Sequence, residues 1–452
     1  MFLYYNKTHN QTMKFLFSSV LLFITTVCMA ARPSTTEAQQ EAVHRFIQDS
    51  WEKTVRFHTE DEGIRIGLPY KYTVPSISGA FQEMYYWDTY FTGEGLILDG
   101  HVDLAKSNAD NMLYMVDRFG KMYNGNLTVF QNRSQPPYLS MMIASVYRKT
   151  GDKEWLKKIL PTLEKEYQFW MTHRITPIGL NRYGNEATEQ DKAEFIGLLR
   201  DRLRKDFPSD TLPVEEKLKI SSHFIAEAES GWDFNPRFHS RCMDFCPLDL
   251  NANLYLYEKN FAYFASELGD KQAAKQWTKK AEARKKLIRK YCRDPKTGMY
   301  YDYDYVNGRR SDVISSAIFS LLYAEAVSPK DAASIVDQGL KALEFAHGIA
   351  ACENKPYDFV YQWSYPNGWA PLHFLAIKGL DNYGYKEEAS RIASKYVDMV
   401  VRNFESTHNL WEKYNVVEGN INVSNEYDMP TMMGWTAGTY VTALNYLKQS
   451  ER

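Results

Sequence analysis

Along most of this chain, apolar residues recur at the three- and four-residue spacing that gathers them on one face of a helix. Ala42, Val43, Phe46, Ile47 and Trp51 do so within residues 36–57, and Met112, Met115, Val116 and Phe119 within residues 108–119. The second run stops at Gly120, a residue that ends helices because it takes the left-handed conformation without strain. A further helix is predicted to begin near Tyr138, and residues 273–291, 331–345 and 386–404 read as helical throughout. Alternating patterns are scarce. Met299-Tyr300-Tyr301-Asp302-Tyr303-Asp304 suggests one short extended segment, standing alone.

The helical stretches are punctuated by a recurring turn. Gly151-Asp152, Gly269-Asp270 and Gly384-Tyr385 each separate two helices, at near-equal intervals along the chain. That recurrence predicts helical hairpins repeated around the molecule, about six in all. No Pro-, Gly- or Ser-rich linker divides the chain, so one all-α domain is expected rather than several. Between the helices lie polar-aromatic clusters at residues 75–90, 123–137, 229–251, 362–371 and 411–416. Loops at one end of a helical toroid can converge on a single cleft.

Composition changes this picture in few places. The 452 residues are 44% hydrophobic and 24% charged with a formal net charge of −2, which excludes a nucleic-acid footprint and extensive disorder. Aromatics reach 15%, weak support for sugar binding because large helical cores also consume them. Near the start, Met13-Lys14 precedes an apolar run and Cys28-Met29-Ala30-Ala31, the layout of a secretory signal over residues 1–31, with Met13 a candidate true start. A single domain over residues 32–452, in the periplasm or outside the cell, is the expectation. No later stretch is apolar enough to span a bilayer, so no membrane association is expected once the signal is removed. Of the remaining cysteines, Cys242 and Cys246 are close enough in sequence to bridge in an oxidising compartment, and none has zinc-ligand spacing. Asn126, Asn132 and Asn422 head glycosylation acceptor triplets, meaningful only in a eukaryotic host.

Two carboxylic acids stand out for their company. Asp233 sits in Glu229-Ser230-Gly231-Trp232-Asp233-Phe234, and Glu412 in Trp411-Glu412-Lys413-Tyr414. Hydrolysis of a glycosidic bond requires such a pair, one acid held protonated for the leaving group and one ionised to activate water. A neighbouring indole raises a carboxyl pKa by excluding water, and its flat face can stack on a sugar ring. Taken singly, Asp233 also reads as a helix cap and Glu412 as a surface acid.

At these loops the sequence resembles the trehalase family of glycoside hydrolases. Two segments carry the resemblance most closely: Gly79-Ala80-Phe81-Gln82-Glu83-Met84-Tyr85-Tyr86-Trp87-Asp88-Thr89-Tyr90 and Gln362-Trp363-Ser364-Tyr365-Pro366-Asn367-Gly368-Trp369-Ala370-Pro371. Asn124-Gly125 with Arg133-Ser134-Gln135-Pro136-Pro137, the Glu229 to Phe234 stretch followed by Asp249-Leu250-Asn251, and Glu412-Lys413-Tyr414 agree in the same order. The resemblance implies an (α/α)6 barrel with an inverting α-glucosidase site, Asp233 as general acid and Glu412 as general base. It implies a sugar site drawn from Phe81, Glu83, Trp87, Asp88, Asn124 and Arg133, with Gln135, Arg182, Trp232, Trp363, Trp369 and Glu426. It implies no metal or cofactor, and a small disaccharide as the only partner. A monomer is the expectation.

The chain departs from the family's pattern at Ala80, where the family has arginine, at Ser364, where it has aspartate, and at Leu127, where it has a basic residue. After Asn181-Arg182-Tyr183 the family's Arg-Pro-Glu-Ser-Tyr run is not found. Weaker action on trehalose and a preference for another α-glucoside are therefore expected, unless Arg182 or Arg237 supplies the missing grip. Competing readings are a glycosidase of the processing-glucosidase or mannosylglycerate-hydrolase type, a catalytically dead sugar binder, and a helical scaffold. A dead binder should have lost one acid, and both are present.

Overall fold

Gly151, Gly269 and Gly384 all adopt positive φ, and at each the chain reverses from one helix into the next. In the first two turns the following aspartate caps the new helix: Asp152 accepts from the Trp155 amide and Asp270 from the Ala273 amide. A left-handed glycine closing one helix and an aspartate opening the next make a tight hairpin in very few residues.

The computed structural model describes residues 32–423, 429–431 and 433–450. Outer and inner helices alternate along it. The chain runs from α1 (Glu37–Gln48) outside to α2 (Tyr86–Leu98) inside, then α3 (Val102–Phe119), α4 (Leu139–Thr150) and α5 (Lys153–His173). An inserted pair, α6 (Glu189–Arg202) and α7 (Val214–Glu229), precedes α8 (Leu248–Glu267) and α9 (Lys271–Cys292). The remainder is α10 (Ile318–Tyr323), α11 (Pro329–Leu343), α12 (Ala370–Asn382), α13 (Lys386–Thr407) and α14 (Gly434–Ser450). Helices α2, α4, α8, α10, α12 and α14 contact one another in a closed ring, with α1, α3, α5, α9, α11 and α13 outside it. This is an (α/α)6 barrel.

Position in the ring explains the sequence patterns. Outer helices α3, α9 and α13 keep an apolar stripe inward and a charged face outward, whereas α2, α8 and α12 are buried nearly all round. The ring closes where α2 meets α14, on two glycines. A Cβ on Gly438 would lie 1.9 Å from the Phe91 carbonyl oxygen, and one on Gly95 would lie 2.6 Å from the Gly438 Cα. Short turns join inner helices to outer ones at one end of the barrel, and long loops return from outer to inner at the other.

Several expectations need correction. The helix expected over residues 36–57 ends at Gln48, and a 3-10 turn (Trp51–Thr54) follows, with the Trp51 indole N–H donating to Asp99 at 2.7 Å. The extended segment near residue 303 does not stand alone: Tyr303–Asp304 is the central strand between Phe245–Cys246 and Arg309–Arg310. Helices α6 and α7 were not evident from the pattern. They cover a small separate core of Leu199, Phe224, Phe234 and Tyr361 instead of the barrel, so no long apolar stripe marks them. Cys242 and Cys246 are free, buried thiols. Asn126 and Asn132 are buried, Asn126 with its amide bonded to the Ile66 carbonyl, so neither is presented for glycosylation. The signal-like segment and Ser424 of the third acceptor triplet lie outside the described residues.

Candidate active site

All five polar-aromatic clusters fall in outer-to-inner loops and meet over the end of the ring where the inner helices begin. The segment before α2 supplies Phe81 and Tyr85, the first turn of α2 supplies Trp87 and Asp88, and the α3–α4 loop supplies Asn124, Phe130, Arg133 and Gln135. Ala228, Gly231 and Asp233 come from the end of α7 and just beyond, Gln362, Trp363 and Trp369 from the segment before α12, and Glu412 and Trp435 from either side of the α13–α14 loop. Together they enclose a cavity of about 210 Å³.

Asp233 is neither a helix cap nor a surface group. Helix α7 ends at Glu229 with Ser230 as its cap, and the next residues turn sharply, Gly231 with φ +72° and Phe234 with φ +61°. At Gly231 a Cβ would also come within 2.8 Å of the Trp87 indole, so only glycine lets this turn reach the cavity. Glu229 anchors the turn from behind. Fully buried, it takes both Arg174 N–H groups at 2.7 and 2.8 Å and the backbone amides of Ser134 and Gly184.

Glu412 is likewise buried, immediately before a short strand, Lys413–Asn415, that pairs antiparallel with Asn367–Trp369. Lys413 supplies the countercharge: its Nζ lies 3.0 Å from Glu412 Oε2 and donates to Gln362 Oε1. Gln362 Nε2 in turn donates to Asp233 Oδ2 at 3.4 Å, so one amide links the surroundings of the two acids.

The electrostatics separate the carboxyl groups. Burial lifts Asp233 to about 6, and the charge of Glu412 pushes the same way while Arg133 and Lys413 hold it back. Asp88 is pushed up to about 8, chiefly by burial, with Glu412 and Asp233 adding to it. At pH 7 Asp88 is therefore mainly a neutral acid, able to donate a hydrogen bond to a sugar hydroxyl.

Through the wall of the cavity runs a stack that the sequence did not reveal. The Arg237 guanidinium lies 4.5 Å over Trp232, which stacks on Trp363 at 5.1 Å; Trp363 lies flat on Trp369 at 3.7 Å, and the Lys413 ammonium covers Trp369 at 4.5 Å. Cation–π attraction closes both ends. Arg237 is itself fixed by Asp249 and Asp302. The stack thus ties the loop carrying Asp233 to the strand following Glu412.

The stack revises the role of the tryptophans. Trp232, beside the first acid, does not line the cavity, its ring being packed between Arg237 and Trp363. Trp411, beside the second, points to Thr407 and also lies outside the lining. Glu83 and Arg182 are not in the lining either; Arg182 Nη1 donates to the Tyr183 carbonyl. Arg237 is buried against Asp249 and Asp302 and does not line the cavity. Glu426 lies outside the described residues. Tyr85, Phe130, Gln362 and Trp435 joined the wall unannounced. Trp435 packs edge-on against Trp87, Trp363 and Trp369 and donates to the Glu412 carbonyl. One signal pointed to it: like Trp87 and Trp369, it stands at the start of an inner helix.

Ala80 is exposed and Ser364 is buried without lining the cavity. Among the described residues no group of three His, Cys, Asp or Glu side chains is arranged to hold a metal ion.

An (α/α)6 barrel whose loops converge on a cavity lined by several carboxyl groups that raise one another's pKa is the architecture of a glycoside hydrolase. This chain belongs to the trehalase family, which it matches over residues 28–448. It is 32% identical over 409 residues to the periplasmic trehalase of Salmonella schwarzengrund, an alignment covering 85% of this chain and 70% of that protein. Neutral trehalase from Saccharomyces cerevisiae shares the fold with a TM-score of 0.70 at 25% identity, covering 89% of this chain and 80% of the yeast chain. Mannosylglycerate hydrolase from Thermus thermophilus shares it with a TM-score of 0.60 at 15% identity, over 89% of this chain and 100% of that one, a likeness of fold alone.

Proposed function

We propose that this enzyme hydrolyses α,α-trehalose to glucose with inversion, Asp233 acting as general acid and Glu412 as general base. The observation that carries the reading is that both acids line one aromatic cavity, in which Asp233 is pushed up to about 6 and Glu412 has Lys413 as countercharge. One glucosyl ring enters the cavity, and the neutral Asp88 and the Arg133 guanidinium bind its hydroxyls or those of the leaving ring. Asp233 protonates the glycosidic oxygen as the bond to the anomeric carbon breaks. Glu412 takes a proton from a water that attacks the opposite face, which requires the two carboxyls to stand roughly 6.5–9.5 Å apart.

We further propose a single catalytic domain behind a cleavable leader, acting in the periplasm as a monomer. Among the described residues no helix is long and apolar enough to cross a membrane, and the Salmonella relative is a periplasmic protein.

Stereochemistry tests the mechanism directly. Inversion turns the attacked ring into β-glucose and leaves the departing ring α, so proton NMR of the fresh products should show the two anomers in equal amounts. A product that is initially all α would mean retention and would overturn the assignment.

A further inference from the structure

A second cavity, of about 490 Å³, adjoins the catalytic one and shares Arg133 with it. Arg133 is the partition. Its Nη1 donates to Asn132 Oδ1 at 2.9 Å and its plane lies over Phe130, but its Nε is buried without a hydrogen-bond partner. A buried donor left unmatched costs about 1–3 kcal/mol, which a hydroxyl or ring oxygen of a ligand would recover.

The side on which this cavity lies follows from the backbone. Ser134, next to Arg133, donates its amide to Glu229 at 2.9 Å, at the base of the loop that carries Asp233, so of the two acids assigned to catalysis Arg133 stands on the side of Asp233. If Asp233 is the general acid, its neighbourhood is the leaving-group side, and the second cavity continues outward from there.

Its walls are of two kinds. Asp191 and Glu194 on the first half of α6 present carboxylates, while Val129, Phe195 and Leu198 present apolar surface. A sugar ring has both a C–H face for an aromatic or aliphatic wall and a rim of hydroxyls that donate to carboxylates. The same carboxylates repel an anionic leaving group. The space is more than twice that of the catalytic cavity.

We infer that the leaving-group site extends past Arg133 along α6, and that the enzyme cleaves α-glucosides whose leaving group is longer than one sugar, beginning with a neutral disaccharide. This rests on Asp233 being the acid. The simplest such substrate is a trehalose carrying one further α-glucose, hydrolysed at its 1,1 bond into glucose and maltose with one water consumed.

The test compares that trisaccharide with trehalose on the full-length enzyme, following maltose and glucose release. Wild type should cleave both. Val129, half exposed and outside the catalytic cavity, can be enlarged without disturbing the core. Val129→Trp should lower kcat/KM for the trisaccharide at least roughly tenfold and leave trehalose unchanged. Glu194→Ala, at an exposed site on α6, should act in the same direction more weakly. Trehalose cleaved without the trisaccharide would overturn the extended site and leave the proposed function standing. Equal losses on both substrates in Val129→Trp would also overturn it, and cleavage of neither substrate by wild type would remove it together with the reading on which it rests.

Discussion

Asp233 keeps its proton to higher pH because of its position. Desolvation of this half-buried carboxyl and the charge of Glu412 lift it to about 6, so it is protonated below that value and lost as a proton donor above it. A general acid must be protonated to act, hence kcat/KM for trehalose should decline as pH rises through about 6, a trend that a pH–rate profile reads directly. Asp233→Asn should lower turnover of trehalose by about 10²–10⁴-fold, whereas α-glucosyl fluoride, whose leaving group needs no proton, should be hydrolysed far better by the same variant. Glu412→Gln should disable both substrates, since water must be activated in either case. An Asp233→Asn enzyme with near-normal turnover of trehalose would sink the assignment. That Asp233 and Glu412 meet at one cavity could be read from the sequence because each sits in a distinctive aromatic motif. The tryptophans next to them could not: adjacency in the chain says nothing of which face a ring presents, and the faces of Trp232 are taken by Arg237 and Trp363.

At the level of helices and loops, the Gly-Asp turns were legible because backbone chemistry dictates them. Gly151 needs positive φ and Asp152 must accept from the Trp155 amide, so two adjacent residues announce both helix ends. Asp152→Ala should cost about 0.5–2 kcal/mol of stability without touching kcat. The support of the acid loop was not legible. Arg174 and Glu229 lie in different elements, and only the fold joins them. Glu229→Gln leaves Arg174 only Glu186, 3.5 Å away and partly exposed, as countercharge, and about 1.5–3 kcal/mol is the expected loss in chemical denaturation. Because the loop it anchors carries Asp233, trehalose turnover should fall with it even at temperatures where the variant remains folded.

The molecule as a whole stores a pH response in its core, apart from the cleft. Glu166, on outer helix α5, is buried and accepts from the hydroxyls of Tyr86 and Tyr257 on two inner helices. Burial raises its carboxyl from 4.5 to about 7, so the folded state holds this proton more tightly than the unfolded chain. Its contribution is fullest below pH 4.5 and is lost as pH rises to about 7, by ~1.4 kcal/mol per unit across that window. Glu166→Gln should therefore raise the melting temperature relative to wild type more at pH 8 than at pH 5. An identical shift at both values would show that the carboxyl does not titrate there.

The glycine seam between α2 and α14 has a consequence for how the chain matures. The first inner helix can complete its contacts only when the last one arrives, so the ring is closed by segments separated by almost the whole sequence. Pairings of such separation form slowly and late. Until residue 434 and beyond have been synthesised, Trp435 is missing from the cleft and the aromatic wall is open on one side. A nascent chain of this topology remains unclosed until α14 has been made. A chain truncated before α14 should accordingly bind hydrophobic dyes and yield rapidly to protease, whereas in the full-length enzyme Gly438→Ala should reproduce part of that behaviour from a single methyl group.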